Sequence, residues 1–208
     1  MLKGLYLERG FDLKPTSTIR QRQIIIAARA VIFSKGIENL TVREIAKELK
    51  ITNGALYRHF KSKDEIVSLL IDDIEATMLA TIKEAADKTN DPLRKLEGIF
   101  LSHLSYSERM KGTSFAIINQ VSGIKNKHLK TKMFKVLNRY LKTIKAIIVE
   151  GMDAGRFRRD LNPTSASIVF FGTIQSMVSL WSLSGYKLSL RKPHFTRMLD
   201  VYKSWVAA

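Results

Sequence analysis

The sequence predicts an all-α fold, with a helix-turn-helix unit near the amino end and a larger helical domain after it. Three observations carry this. Apolar residues recur at three- and four-residue spacing through most of the 208 residues, and no alternating strand pattern of useful length occurs. Residues 41–63, TVREIAKELKITNGALYRHFKSK, hold two short helical patterns around a four-residue turn. The stretch from Leu161 to Tyr186 contains no charged side chain, which suits a helix apolar on several sides.

About nine helices are expected from these patterns. Thr18 and Gln21 cap the first, whose Ile24, Ala28, Val31 and Ile32 face the core, and Gly36 ends it. Thr41 and Glu44 form a T-x-x-E capping box that opens the next, in which hydroxyl and carboxylate both satisfy open backbone donors. Val42, Ile45, Ala46 and Leu49 make its apolar stripe. Ile51 plugs the turn and Thr52 is the following N-cap. Ala55, Leu56 and Phe60 then face inward, leaving Asn53, Gly54, Tyr57, Arg58 and His59 on or near the outer side. Ser62 and Glu65 make a second capping box for a long helix, expected over 64–88, carrying Ile66, Leu69, Leu70, Ile74 and Met78 and breaking near Asn90 and Pro92.

The tract from Thr41 to Ala46, from Thr52 to Phe60 and from Ser62 to Ile66 resembles the helix-turn-helix domain of the TetR (tetracycline repressor-like) family of bacterial transcription regulators. One position departs from the family pattern: Lys50 stands in the turn where Gly is usual. In a left-handed conformation, a non-Gly residue there costs roughly 1 kcal/mol. The resemblance is strong over about residues 18–70, and the segment from Gly151 to Pro163 looks like the loop before the last two helices of many members.

The resemblance implies double-stranded DNA as partner, bound at a near-palindromic operator by a homodimer, with recognition helices about 34 Å apart. Thr41, Tyr57, His59 and Lys63 are expected to anchor phosphates. Asn53, Gly54, Ala55 and Arg58 are expected to face or approach base edges, on a helix started by Thr52. His59 could instead cap a helix end, and Arg58 could form a surface salt bridge. A net charge of +16 agrees with a polyanionic partner. Residues 1–63 carry 13 Lys and Arg against 5 Asp and Glu, so the excess is densest there. The expected organisation is an arm over 1–17, flexible and either idle or reaching a minor groove, a DNA-binding domain over 18–63 and an effector-binding and dimerisation domain over 64–208. A shift of the helix linking the domains would change the distance between the two DNA-reading heads, as the resemblance implies.

In the second domain, Leu93, Leu96, Ile99, Phe100, His103 and Leu104 describe one amphipathic helix, and Ser114 to Val121 a shorter apolar one. A long helix over 127–154, ended by Gly155, turns Leu129, Met133, Val136, Leu137, Tyr140, Leu141, Ile144 and Ile148 inward. Its His128, Lys132, Lys135, Arg139 and Lys142 align in a basic stripe, either a solvated face or a second contact with an acidic partner. Phe100, His103, Leu104, Phe115, Ile118 and Asn119, with Tyr140, Ile144, Phe170 and Ile174, either line a cavity for a small lipophilic or aromatic effector or form a plain core. Polar residues interrupt the uncharged run too often for a lipid-facing span, so no membrane is expected. Its Gly172, Ser176, Ser179 and Trp181, with Met198, Tyr202 and Trp205 near the carboxyl end, are expected at a four-helix dimer interface.

The absence of cysteine excludes disulfides and thiolate chemistry. No G-x-S-x-G elbow, phosphate-binding glycine loop or H-E-x-x-H occurs, so no catalytic residue, metal site or cofactor is expected. The amino end carries charges throughout, without an apolar run of signal-peptide length, and a cytoplasmic location is expected. The reading is a ligand-responsive regulator, most simply a repressor released by an apolar effector. The alternatives are a DNA-binding protein without an effector and an enzyme housed in the helical second domain.

Overall fold

The computed structural model describes residues 19–187, 189–190 and 193–208. The expected arm over 1–17 and the cap at Thr18 lie outside these residues, as does the side chain of Phe195. Among the described residues the chain forms nine helices: α1 Ile19–Lys35, α2 Val42–Leu49, α3 Asn53–Tyr57, α4 Lys63–Asp87, α5 Pro92–Arg109, α6 Thr113–Val121, α7 Lys127–Asp153, α8 Pro163–Leu183 and α9 Pro193–Val206. An isolated bridge joins Phe157 to Ala207.

Local chemistry sets these boundaries. Gly36 stops α1 in a left-handed conformation, φ 81°. Thr41 Oγ1 accepts from the Glu44 N–H at 3.1 Å, but the Glu44 carboxylate is held by Lys35 rather than closing the expected box. Lys50 is left-handed, φ 56° and ψ 42°. Its N–H reaches the Lys47 carbonyl at 3.1 Å while the Ile51 N–H reaches that of Ala46 at 3.0 Å. This paired closure satisfies the last carbonyls of α2 and holds the lysine in a strained conformation. Thr52 Oγ1 accepts from the Ala55 N–H at 3.2 Å. The helix it starts ends at Tyr57, short of the expected Phe60. The chain tightens because the His59 and Phe60 N–H groups both donate to the Leu56 carbonyl, which swings Phe60 into the core. Ser62 Oγ accepts from Glu65 N–H, and the Glu65 carboxylate accepts from Lys61 N–H at 2.8 Å, a box displaced by one residue.

Packing divides the chain into two compact units. One runs to Thr77 and includes Ala116–Phe134, and the other comprises Met78–Phe115 and Lys135–Ala208. The sequence boundary after residue 63 differs from this grouping because the first half of α4 belongs with α1 to α3. Its Ile66, Val67, Leu70, Ile71 and Ile74 are buried, and Asp73 pairs with the buried Arg29 of α1.

In the second unit, Asp91 caps α5 by accepting from the N–H groups of Leu93 and Arg94, and Asn162 caps α8 from Ser165. Pro92 and Pro163 begin their helices, where a missing N–H costs nothing. Helices α5, α8 and α9 pack on one another. After Gly155, φ 66°, the Phe157 ring fills the space that a β-carbon on Gly151 would need. Leu129, Met133, Val136, Tyr140, Ile144 and Ile148 of α7 are buried as expected, whereas Leu137 and Leu141 are half-buried.

Candidate functional site

In the first unit the short helix α3 is held from beneath by Leu56 and Phe60, both buried. Asn53, Gly54, Tyr57, Arg58 and His59 are exposed, the last two in the turn beyond the helix, and Ala55 is half-buried. Gly54 is informative because nothing lies within 4 Å of where its β-carbon would stand and its φ is not in the left-handed range. Neither packing nor backbone conformation calls for glycine there. Such a position suits a close external partner.

Thr41 and Thr52 are exposed, yet their hydroxyls are occupied in capping α2 and α3. What each helix start then offers an anion is its backbone N–H groups and dipole. Lys63 departs from expectation: its Nζ donates to the Ile37 carbonyl at 3.2 Å and the side chain is half-buried. The lysine fastens the loop before α2, and reaching a phosphate would mean releasing that bond. Sequence reasoning passed over Arg43 and Lys47, both exposed on α2. The signal was present as polar positions opposite the Val42, Ile45, Ala46 stripe.

The basic stripe on α7 is not a continuous free surface. Lys132 donates to Asp72 at 2.8 Å, to Ser68 Oγ at 2.6 Å and to the Ser68 carbonyl at 3.0 Å, clasping α4 within the first unit. His128, Lys135, Arg139 and Lys142 are exposed.

The second unit contains two runs of rings. Phe100 meets Phe170 edge-on at 6.0 Å, Phe170 meets Tyr202 at 5.3 Å, His103 meets Tyr140 at 5.4 Å, Tyr140 meets Phe171 at 5.7 Å and Phe171 stacks on Phe115 at 6.2 Å. Leu104, Ile144 and Ile174 are buried among the same helices. Of the remaining residues expected around an effector, Ile118 is buried and Asn119 exposed, and both belong to the first unit, so Asn119 drops out of the buried set. Burial holds the His103 imidazole down at about 4 and pushes the Tyr140 phenol well up, the latter aided by Tyr202. His103 is therefore neutral near pH 7. Its Nε2, Ser107 Oγ and Tyr140 Oη are buried without a hydrogen-bond partner. Ser107 was missed by the sequence, its only signal being the four-residue offset from His103.

Helix α8 is long and apolar enough to cross a membrane by length and composition. Its Ala166, Phe170, Ile174, Met177, Val178 and Trp181 are buried within the second unit. The opposite side shows Ile168, Gly172, Ser176, Leu180 and Leu183 at helical spacing, with Leu180 61% and Leu183 84% exposed. Met198, Val201 and Trp205 form a second exposed stripe on α9. Gly172 and Ser176 thus lie outward, and Ser179 is half-buried. Trp181 and Tyr202 do not: Trp181 packs on Tyr186, and Tyr202 Oη donates to the Ala166 carbonyl at 3.0 Å. Both belong to the core of their own unit. Among the described residues no group of three His, Asp or Glu side chains could hold a metal ion.

Comparison with known proteins adds independent findings. Residues 24–70 match a family model described as bacterial regulatory proteins, tetR family, and residues 72–199 match one described as YsiA-like protein, C-terminal region. The chain is similar to the fatty acid metabolism regulator protein of Bacillus subtilis, 28% identical over 170 residues, covering 81% of this chain and 86% of that one. It is also similar to the HTH-type transcriptional repressor KstR2 of Mycobacterium tuberculosis, 34% identical over 83 residues, 40% of this chain and 42% of the relative. Among solved structures, the FadR regulator of B. subtilis in complex with stearoyl-CoA aligns with a TM-score of 0.72 at 26% identity, covering 88% of this chain and 98% of that one. The ketosteroid regulator KstR2 of M. tuberculosis aligns at 0.73 and 21% identity, covering 92% and 97%.

Proposed function

Because this chain belongs to the tetR family of bacterial regulatory proteins, we propose how its ligand-responsive, DNA-binding repressor function is distributed over its residues. Two copies read a near-palindromic operator in the cytoplasm, each placing α3 in a major groove. The observation that carries this is Gly54, a glycine its own fold does not require, exposed between Asn53 and Tyr57 on a helix anchored by Leu56 and Phe60. Asn53 and Arg58 supply base-edge hydrogen bonds, Gly54 and Ala55 allow close approach, and Tyr57, His59, Arg43 and Lys47 engage phosphates. Lys63 contributes by holding the loop before α2.

The exposed stripes of α8 and α9 supply the dimer face, because contiguous apolar surface of this kind is stabilised when a symmetry mate covers it. The effector is lipophilic and enters the aromatic second unit, releasing the operator. Supporting this are the similarity to a fatty acid metabolism regulator and to a solved structure holding stearoyl-CoA.

The test is selection of bound sequences from a random DNA pool, followed by a lipophile screen for release of the preferred duplex. A palindromic preference lost on adding a fatty-acyl or steroid compound is expected. Monomeric protein without preference among duplexes at low salt overturns the reading.

A further inference from the structure

We propose that His103 Nε2, Ser107 Oγ and Tyr140 Oη are the hydrogen-bonding anchor for an uncharged polar group, a ketone, ester, thioester or hydroxyl, on the lipophilic effector; this rests on the reading of the second unit as the effector domain.

Each of these atoms is buried without a hydrogen-bond partner, and each such orphan costs a folded protein about 1–3 kcal/mol. Three together, in a unit whose buried side chains include Phe100, Leu104, Ile144 and Phe170, oppose stability. His103 and Ser107 lie one turn apart on α5, so they share a face. The Tyr140 ring stands edge-on to that of His103 at 5.4 Å and 77°. Two helices thus each bring unpartnered polar atoms into this unit's core, where a ligand's polar group would satisfy them.

Charge narrows the chemistry. Among the described residues of this unit, the buried polar ones are Thr81, His103, Ser107, Thr113, Ser114 and Ser167. None is a Lys, Arg, Asp or Glu, and His103 stays neutral at physiological pH. A carboxylate placed here would lack a counter-charge and would bear the desolvation penalty of a buried ion. Hydroxyls and a neutral imidazole can each donate or accept, which serves a carbonyl or hydroxyl oxygen.

The experiment uses the full chain and three probes of one chain length: 2-dodecanone, dodecane and dodecanoate. Binding is followed by calorimetry in the wild type and in the Tyr140→Phe and Ser107→Ala variants. The ketone is expected to bind about tenfold tighter than the other two, and each variant to remove about two- to threefold of that advantage without weakening dodecane. Each variant, freed of an orphaned atom, should also raise the ligand-free melting midpoint by about 2–4 °C. Variants that melt lower and bind the ketone unchanged overturn the anchor, since the hydroxyls would then be structural. Tightest binding by dodecanoate also overturns it while leaving the effector domain intact. Failure of all three probes to bind, with no lipophile releasing DNA, removes both the anchor and the function on which it rests.

Discussion

Arg29 Nη2 of α1 donates to Asp73 Oδ2 of α4 at 2.6 Å, joining residues 44 apart in sequence, with both side chains almost completely buried. The pair fixes the first helix of the DNA-reading unit to the long helix that continues past Thr77. Asp73 Oδ1 has no hydrogen-bond partner, so the pair is held by mutual attraction against a large desolvation cost. Asp73→Ala is expected to destabilise the protein by about 3–5 kcal/mol by removing the carboxylate that compensates a buried guanidinium. Arg29→Met with Asp73→Leu should recover most of that. Urea unfolding of the single and double variants is the check, and a double variant no better than the single one contradicts the account.

Gly54→Ala should separate stability from function. Open space and an ordinary helical backbone at this position predict a gain of roughly 0.5–1 kcal/mol in folding stability. The added methyl should at the same time weaken operator binding, measured by fluorescence anisotropy. Unchanged affinity would place Gly54 away from the duplex.

Lys50→Gly relieves the left-handed strain in the turn between α2 and α3, with an expected gain of up to about 1 kcal/mol in thermal or chemical denaturation. A loss of stability would mean that the lysine side chain makes up for its backbone.

His103 sets a pH dependence whose sign follows from its depressed value. Its ordinary value is 6.5 and burial lowers it to about 4. Between these the unfolded chain takes up a proton that the folded chain refuses, so stability falls as pH drops through this window and is fully present above 6.5. The total is roughly 3 kcal/mol at one proton per site. Stability read from denaturation curves should therefore fall between pH 7 and pH 4.5, and His103→Gln should lessen that fall.

Leu180→Glu places a charge in the exposed stripe of α8 without touching the core. Sedimentation is expected to shift from dimer to monomer with helix content unchanged, and operator affinity should fall sharply because each head alone binds weakly. A dimer that survives this change would relocate the interface.

The features legible in the sequence were those set by neighbours a few residues away. Thr41, Thr52 and Ser62 cap as read because a hydroxyl and the amide three residues on meet within one turn, and Lys50 is left-handed because the turn closes locally. Contacts over distance were not legible. Lys63 and Lys132 looked like solvent-facing cations, but their partners Ile37 and Asp72 lie 26 and 60 residues away. In α8 the lack of charge that marked the helix also hid its orientation: without a polar face, periodicity could not tell the buried Trp181 from the exposed Leu180 beside it. Ser107 had only its four-residue offset from His103 to mark it, and its burial without a partner depends on packing that spacing does not show.

The first unit is assembled from two separate stretches of chain, the second reaching from Ala116 to Phe134. A chimera that grafts this head onto a relative at one splice point would leave behind a piece of the head's own framework. Recombination, in the laboratory or in evolution, would have to carry that distant insert along with the amino-terminal part to yield a working hybrid.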